Sequence, residues 1–200
     1  AAGKRGLAPQ LFTDQVSQNF RDLLPALDIS NDDFIRTTEQ RHKVAAQVIW
    51  QKLFDNGHIY RDKYSGWYSV RDEAYFTENE LIDGKAPTGA PVSWVEEESY
   101  FFNLSNWQDR LLEFYNTNPS FIAPKSRFNE VVSFVKSGLR DLSISRTSFK
   151  WGIEVPGDPG HIMYVWLDAL TNYITATDFP DITSPKYQKY WPANLHMVGK

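Results

Sequence analysis

The most regular apolar run in the chain spans His161 to Leu167. There Ile162, Tyr164 and Trp166 alternate with Met163, Val165 and Leu167, so both faces of an extended segment are apolar. That pattern predicts a strand covered on both sides, as in a parallel sheet, rather than one half-exposed to water. Asp168 follows in an N-cap position, and Ala169 to Ala176 reads as a helix that ends before Pro180. Ligands of open α/β sheets settle in the crevice at the carboxyl ends of strands. Trp166, Ala169, Leu170 and Tyr173 would line such a crevice and suit an apolar ligand. The competing reading of this pattern is an ordinary aromatic core.

Three further helices follow from periodicity and end signals. The first opens at the Thr37-x-x-Gln40 box, carries Val44, Ala45, Val48, Ile49 and Leu53 inward, and stops at Gly57. The second opens at Ser105-x-x-Gln108, buries Trp107, Leu111, Leu112 and Tyr115, and ends before Pro119. The third covers Phe128 to Lys136, with Val131, Val132 and Val135 inward and Gly138 past its end. Gln10 to Leu24 is expected to be helical as well. Ile59 to Leu104 differs in character, being rich in Tyr, Trp, Gly and Pro, with β-like runs such as Gly66 to Val70 and an exposed loop at Asp83 to Gly89. This change marks an inserted domain.

Composition narrows the classes. At 42% hydrophobic and 15% aromatic residues the chain can build a sizeable core, yet no apolar run approaches the ~18 residues of a membrane span. Zero cysteines exclude disulfides and thiolate metal ligands. A net charge of −4 gives no general attraction to nucleic acid. Pro156-Gly-Asp-Pro-Gly160 lacks the spacing of a phosphate loop and reads as a turn.

Five runs carry a family likeness. They are Asp33-Phe-Ile-Arg-Thr-Thr-Glu39, Gly66-Trp-Tyr-Ser-Val-Arg-Asp-Glu73, Ser99-Tyr-Phe-Phe-Asn-Leu-Ser105, Ile144-Ser-Arg-Thr147 with Trp151-Gly-Ile-Glu-Val-Pro-Gly-Asp-Pro-Gly160, and Tyr164-Val-Trp-Leu-Asp-Ala-Leu-Thr-Asn-Tyr173. In order and spacing they resemble the methionyl-tRNA synthetases of bacterial and mitochondrial type, over nearly the whole chain. The resemblance implies an α/β fold: part of a Rossmann-like class I catalytic domain split by an inserted connective domain. Residues 1–57 would belong to its first half, 58–143 to the insertion and 144–200 to the start of its second half. It also implies activation of L-methionine by ATP and magnesium to methionyl-adenylate, then transfer to methionine tRNA, in the cytoplasm or the mitochondrial matrix, without a membrane partner. Both ATP signature motifs of the family, of His-Ile-Gly-His and Lys-Met-Ser-Lys-Ser type, are missing from the sequence. The chain is therefore expected to be an internal piece, inactive by itself.

Residue by residue, the resemblance implies a methionine pocket from Trp166, Ala169, Leu170 and Tyr173. Aromatic surfaces suit a polarisable thioether. It gives Arg146 a catalytic place beside that pocket, paired with an acidic residue from the part of the first half that this sequence lacks, and sets Glu154 and Gly199 against the ribose of ATP. Without it, Arg146 reads as a surface residue, Glu154 as a solvated loop charge and Gly199 as a strand-end turn after Leu195 to Val198. Many relatives carry a zinc knuckle, but here Ser69 and Asp72 stand where thiols are expected, and the histidines at 42, 58, 161 and 196 are scattered. No metal site and no zinc are expected, with Trp67, Tyr68, Tyr75 and Phe76 packing the knuckle instead. The alternative function is a non-catalytic RNA- or protein-binding module, whose aromatics would stack on unpaired bases.

Overall fold

The computed structural model describes residues 2–72, 74–148 and 150–199. Its helices are α1 (Pro9–Ala26), α2 (Gln40–Asp55), α3 (Gln108–Thr117), α4 (Lys125–Lys136), α5 (Trp166–Thr175) and α6 (Pro185–Tyr190). Its strands are β1 (Ile59–Ser69), β2 (Ala74–Phe76), β3 (Ser93–Phe102), β4 (Leu142–Ser143), β5 (Ser145–Arg146), β6 (Glu154–Val155) and β7 (Asp158–Met163). The chain divides into two units, one of Ala1–Lys52 with Phe149–Lys200 and one of Leu53–Ser148. The first cut falls inside α2 and the second just beyond β5. No helix among the described residues is long and apolar enough to cross a membrane.

In the first unit, α2 turns a face of His42, Ala45, Ala46 and Trp50 inward, all essentially inaccessible to solvent. Val44 and Val48, expected inside, are exposed. The two small alanines admit close packing, and the helix rotates to bury Trp50, the largest apolar group available to it. The helix also begins at Gln40, so Thr37 does not cap it. Gly57 stops it as expected, in the left-handed conformation at φ +72°. α1 buries none of its residues.

β6 and β7 form a hairpin around Pro156-Gly157, with Val155 opposite Asp158 and Gly157 at φ +76°. Proline first and a positive-φ glycine second are the residues a type II turn requires. This corrects the expected parallel strand at His161 to Leu167: β7 starts earlier, ends at Met163 and runs antiparallel to β6. Both faces near its end are nonetheless covered, since His161, Ile162 and Met163 are all buried. A Cβ at Gly152 would run into Ile162 Cγ2, so the approach to β6 demands glycine there. Leu195 to Val198, expected as a strand, adopts no regular structure, and its Leu, Met and Val are exposed. A strand forms only against a partner, and no described strand lies beside this one.

Charges tie the segment before α2 in place. Arg41 grips Asp33 with two parallel bonds of 2.7 and 2.8 Å, and Lys186 of α6 reaches the same carboxylate at 3.3 Å. The Arg41 fork foremost, with the Phe34 N–H and Lys186, outweighs partial burial and holds the Asp33 carboxyl well below the usual carboxylate range. A depressed acid contributes stability above its unfolded pKa and loses it as pH falls through the folded value. Melting temperature is therefore expected to fall between about pH 4 and pH 2, and Asp33→Asn should flatten that dependence. A pH profile identical in the two proteins would count against this link.

The second unit is built on an antiparallel sheet in the order β2-β1-β3-β4. The β1–β3 ladder runs from Ile59 opposite Phe102 to Tyr68 opposite Ser93. Aromatic pairs line it: Tyr60 stacks on Phe101 at 5.6 Å and Trp67 meets Trp94 edge-on at 5.4 Å. Such pairs are worth more than their buried area alone. Gln108 does not close a capping box; its Oε1 accepts from the Leu139 N–H at 2.8 Å, a tertiary partner displacing a local one. No α3 residue is fully buried, and of the three α4 valines Val135 alone is.

Candidate functional site

The four residues expected to line an apolar pocket share one face of α5. Trp166, Ala169, Leu170 and Tyr173 sit at i, i+3, i+4 and i+7, the spacing that aligns side chains along a helix. Trp166 is 56% and Leu170 55% exposed, while Ala169 and Tyr173 are half-buried. None of the four is buried among the described residues. Tyr173 touches the His196 ring edge-on at 5.1 Å, and His196 in turn meets Trp191 at 5.9 Å.

Asp168 does not cap this helix. The helix starts two residues earlier, at Trp166, and its N-cap Val165 supplies no side-chain bond. The carboxylate instead reaches the fully buried His42 of α2, with Oδ1 2.7 Å from Nε2. The other ring nitrogen, Nδ1, lies 3.3 Å from Thr175 Oγ1. The sequence reading passed over His42 because it asked whether the histidines cluster. The usable signal was different: His42 keeps register with Ala45, Ala46 and Trp50, so a polar ring must be buried and must find partners.

Arg146 is no surface residue, being only 6% exposed. Its Nη1 donates to Ser143 Oγ and to the Ser145 carbonyl, both at 2.6 Å, and its guanidinium lies over the Tyr75 ring at 5.2 Å. A serine network surrounds it: Ser99 Oγ lies 2.6 Å from Ser143 Oγ, and the Tyr100 N–H donates to Ser145 Oγ at 2.9 Å. Glu97 is the nearby acid. Burial pushes its carboxyl up, but bonds from Thr147 Oγ1 and the Thr147 and Ser148 N–H groups, helped by Arg146, bring it below the usual range. Burial foremost, then Glu97, pushes the Tyr75 hydroxyl up to about 12. The sequence analysis did not single out Glu97.

Glu154 and Gly199 are exposed. Glu154 belongs to β6, where its backbone carbonyl accepts from Gln47 Nε2 at 3.2 Å. Nothing lies within 4 Å of a Cβ built on Gly199, so no contact of the chain itself calls for a glycine there.

At the knuckle, Ser69 and Asp72 form a hydrogen-bonded knot. Ser69 Oγ donates to Asp72 Oδ2 at 2.9 Å, Thr88 Oγ1 donates to the same oxygen at 2.5 Å, and Arg71 reaches the Thr88 carbonyl at 2.7 Å. The Thr88 hydroxyl foremost, with Ser69 and Arg71, holds the Asp72 carboxyl below its usual range. Tyr68 and Tyr75, cross-strand partners, pack at 4.7 Å beside it. Glu73, which ends this family-like run, lies outside the described residues. A lone carboxylate saturated by hydroxyls does not fit zinc, which takes four ligands dominated by thiolate and imidazole. No group of three or more His, Cys, Asp or Glu suited to a metal occurs among the described residues. Elemental analysis of the purified protein should find no stoichiometric zinc, and chelation should leave the melting temperature unchanged. One tightly held zinc per chain would contradict this.

A mixed helix-and-sheet fold with these motifs defines a class of protein, and comparison names it. The model for "tRNA synthetases class I (M)" matches residues 1–93 and 79–200, and the chain belongs to that family. It is similar to the methionine–tRNA ligase of Rickettsia typhi, 65% identical over the whole chain, which spans 39% of that protein. The methionine–tRNA ligase of Rhizobium meliloti is 58% identical, again over the whole chain and 40% of the relative. Among solved structures, Mycobacterium tuberculosis methionyl-tRNA synthetase in complex with methionyl-adenylate superimposes with a TM-score of 0.91 at 52% identity, over 99% of this chain and 40% of that one. The free-state structure of the same enzyme gives 0.83 at 53% identity, over 96% of this chain and 40% of that one.

Proposed function

We propose that the chain is the part of a methionine–tRNA ligase that carries the amino-acid pocket. The supporting observation is the α5 face. Two aromatics, an alanine and a leucine stand in helical register and open to solvent, in a chain 65% identical to a methionine–tRNA ligase. In this reading the face receives the methionine side chain, where sulfur–aromatic contact favours the thioether by up to ~1.5 kcal/mol. The Tyr173 hydroxyl offers the sulfur a donor, a contact that leucine and isoleucine cannot use.

The reaction needs no nucleophile from these residues. A methionine carboxylate oxygen attacks the α-phosphorus of ATP, and the bond to pyrophosphate breaks, so that pyrophosphate leaves. The terminal ribose hydroxyl of methionine tRNA then displaces AMP from the adenylate. Catalysis is positioning and charge stabilisation. Glu154 accepts hydrogen bonds from the ATP ribose, Gly199 lets the nucleotide approach the backbone, and Arg146 orients the site. Residues 58–143 are the connective insertion, within the unit of Leu53–Ser148, and the rest belongs to the split Rossmann domain. The enzyme works in the cytoplasm or, as the alternative, in the mitochondrial matrix.

Pyrophosphate exchange tests this. The full-length parent should exchange pyrophosphate into ATP with methionine, and far more slowly with leucine or isoleucine. Residues 1–200 alone, without either ATP motif, should give none. A parent that fails at saturating ATP, magnesium and methionine would favour the non-catalytic binding module.

A further inference from the structure

We propose that His42 is a positioning residue for the methionine pocket, acting by clamping α5 at both ends to α2. This rests on the ligase reading above. The imidazole is fully buried and occupied at both nitrogens, by Asp168 at 2.7 Å and Thr175 at 3.3 Å. Those partners are the third and last residues of α5, seven positions apart and so on the same side of the helix. Thr171 lies between them, and Thr171 and Thr175 are both buried. Thr175 also donates to the Thr171 carbonyl at 2.9 Å, which keeps the far end of the link rigid.

This side lies opposite the pocket face. At about 100° per residue, Asp168, Thr171 and Thr175 centre about 180° away from Trp166, Ala169, Leu170 and Tyr173. One imidazole thus fixes the rotation and the axial position of the helix that presents the pocket. The lever is short. At a side-chain radius of about 5–6 Å, a rotation of about 10° moves a ring by about 1 Å. A misplacement of that size costs about a hundredfold in a preorganised site. Sites hold their geometry only when supporting groups are themselves locked. His42 meets that condition: unpaired, it would leave a buried polar ring, so the link breaks only at a cost.

The test uses the full-length enzyme and methionine-dependent pyrophosphate exchange. His42→Ala should raise the KM for methionine about tenfold to a hundredfold while the KM for ATP stays within about twofold. His42→Gln, whose amide still donates to Asp168, should recover most of that loss. Asp168→Ala breaks the same link from its more exposed side and should reproduce the methionine-specific effect. It decides the matter if His42→Ala does not fold. An unchanged methionine KM, or equal changes for both substrates, would overturn the inference. So would failure of Asp168→Ala to fold as well, since the link would then serve the fold alone. A wild-type parent without methionine-dependent exchange removes the ligase reading itself. An active parent whose His42→Ala keeps its methionine KM removes only this inference.

Discussion

Trp166→Ala in the full-length enzyme is expected to weaken methionine binding by about 2–4 kcal/mol, roughly thirtyfold to several hundredfold, while ATP binding is nearly unchanged. The magnitude follows from the exposure of the ring. Trp166 is 56% exposed here, so about half of its surface remains for a ligand to cover. Covering about 100 Å² of apolar surface contributes about 2.5 kcal/mol, and contact with sulfur adds about 0.3–1.5 kcal/mol. The same exposure limits the damage to the fold, because truncating a half-exposed ring leaves no closed cavity among these residues. Methionine titration by calorimetry, with the melting temperature recorded in parallel, separates the two effects. Equal weakening of both substrates in a folded variant would show that the α5 face is not the pocket.

What the sequence made legible here was local. The α2 stop at Gly57 and the presence of every long helix follow from glycine, proline and apolar spacing, whereas the turn expected over Pro156 to Gly160 holds only at Pro156-Gly157, since β7 begins at Asp158. What it hid was decided at a distance. The run from His161 to Leu167 is apolar throughout, and such a run cannot itself say where strand ends and helix begins. The structure splits it, with β7 ending at Met163 and α5 beginning at Trp166. That shift turns Asp168 from a cap into the partner of His42, a residue 126 positions away. Likewise the α2 side facing inward was settled by Trp50 and two alanines rather than by Val44 and Val48. The side chains expected to form the pocket still share a face. Helical spacing of Trp166, Ala169, Leu170 and Tyr173 puts them on one face wherever the helix starts. The resemblance could name Arg146, but only packing could reveal its serine and tyrosine surroundings.

Those surroundings make Arg146 the residue whose loss should most affect the second unit. Its guanidinium is nearly inaccessible, holds Ser143 Oγ and the Ser145 carbonyl, covers Tyr75 and helps to hold the Glu97 carboxyl below its usual range. Hydrogen bonds to a charged group are worth about 1.5–3 kcal/mol, and stranding polar groups in a buried place adds to the loss. Arg146→Met should therefore destabilise the unit by about 2–4 kcal/mol, and lower its melting temperature by roughly 10 °C or more. Arg146→Lys should restore only part of this, because an ammonium keeps the charge but lacks the planar fork and the face that stacks on tyrosine. A catalytic role predicts something further. At a temperature where Arg146→Lys remains folded, its kcat for pyrophosphate exchange should still fall, since orientation of the site depends on the fork rather than on charge alone. Full activity of folded Arg146→Lys would confine Arg146 to a structural part. A melting temperature for Arg146→Met within about 2 °C of wild type would show that the bonds to Ser143 and Ser145 contribute little.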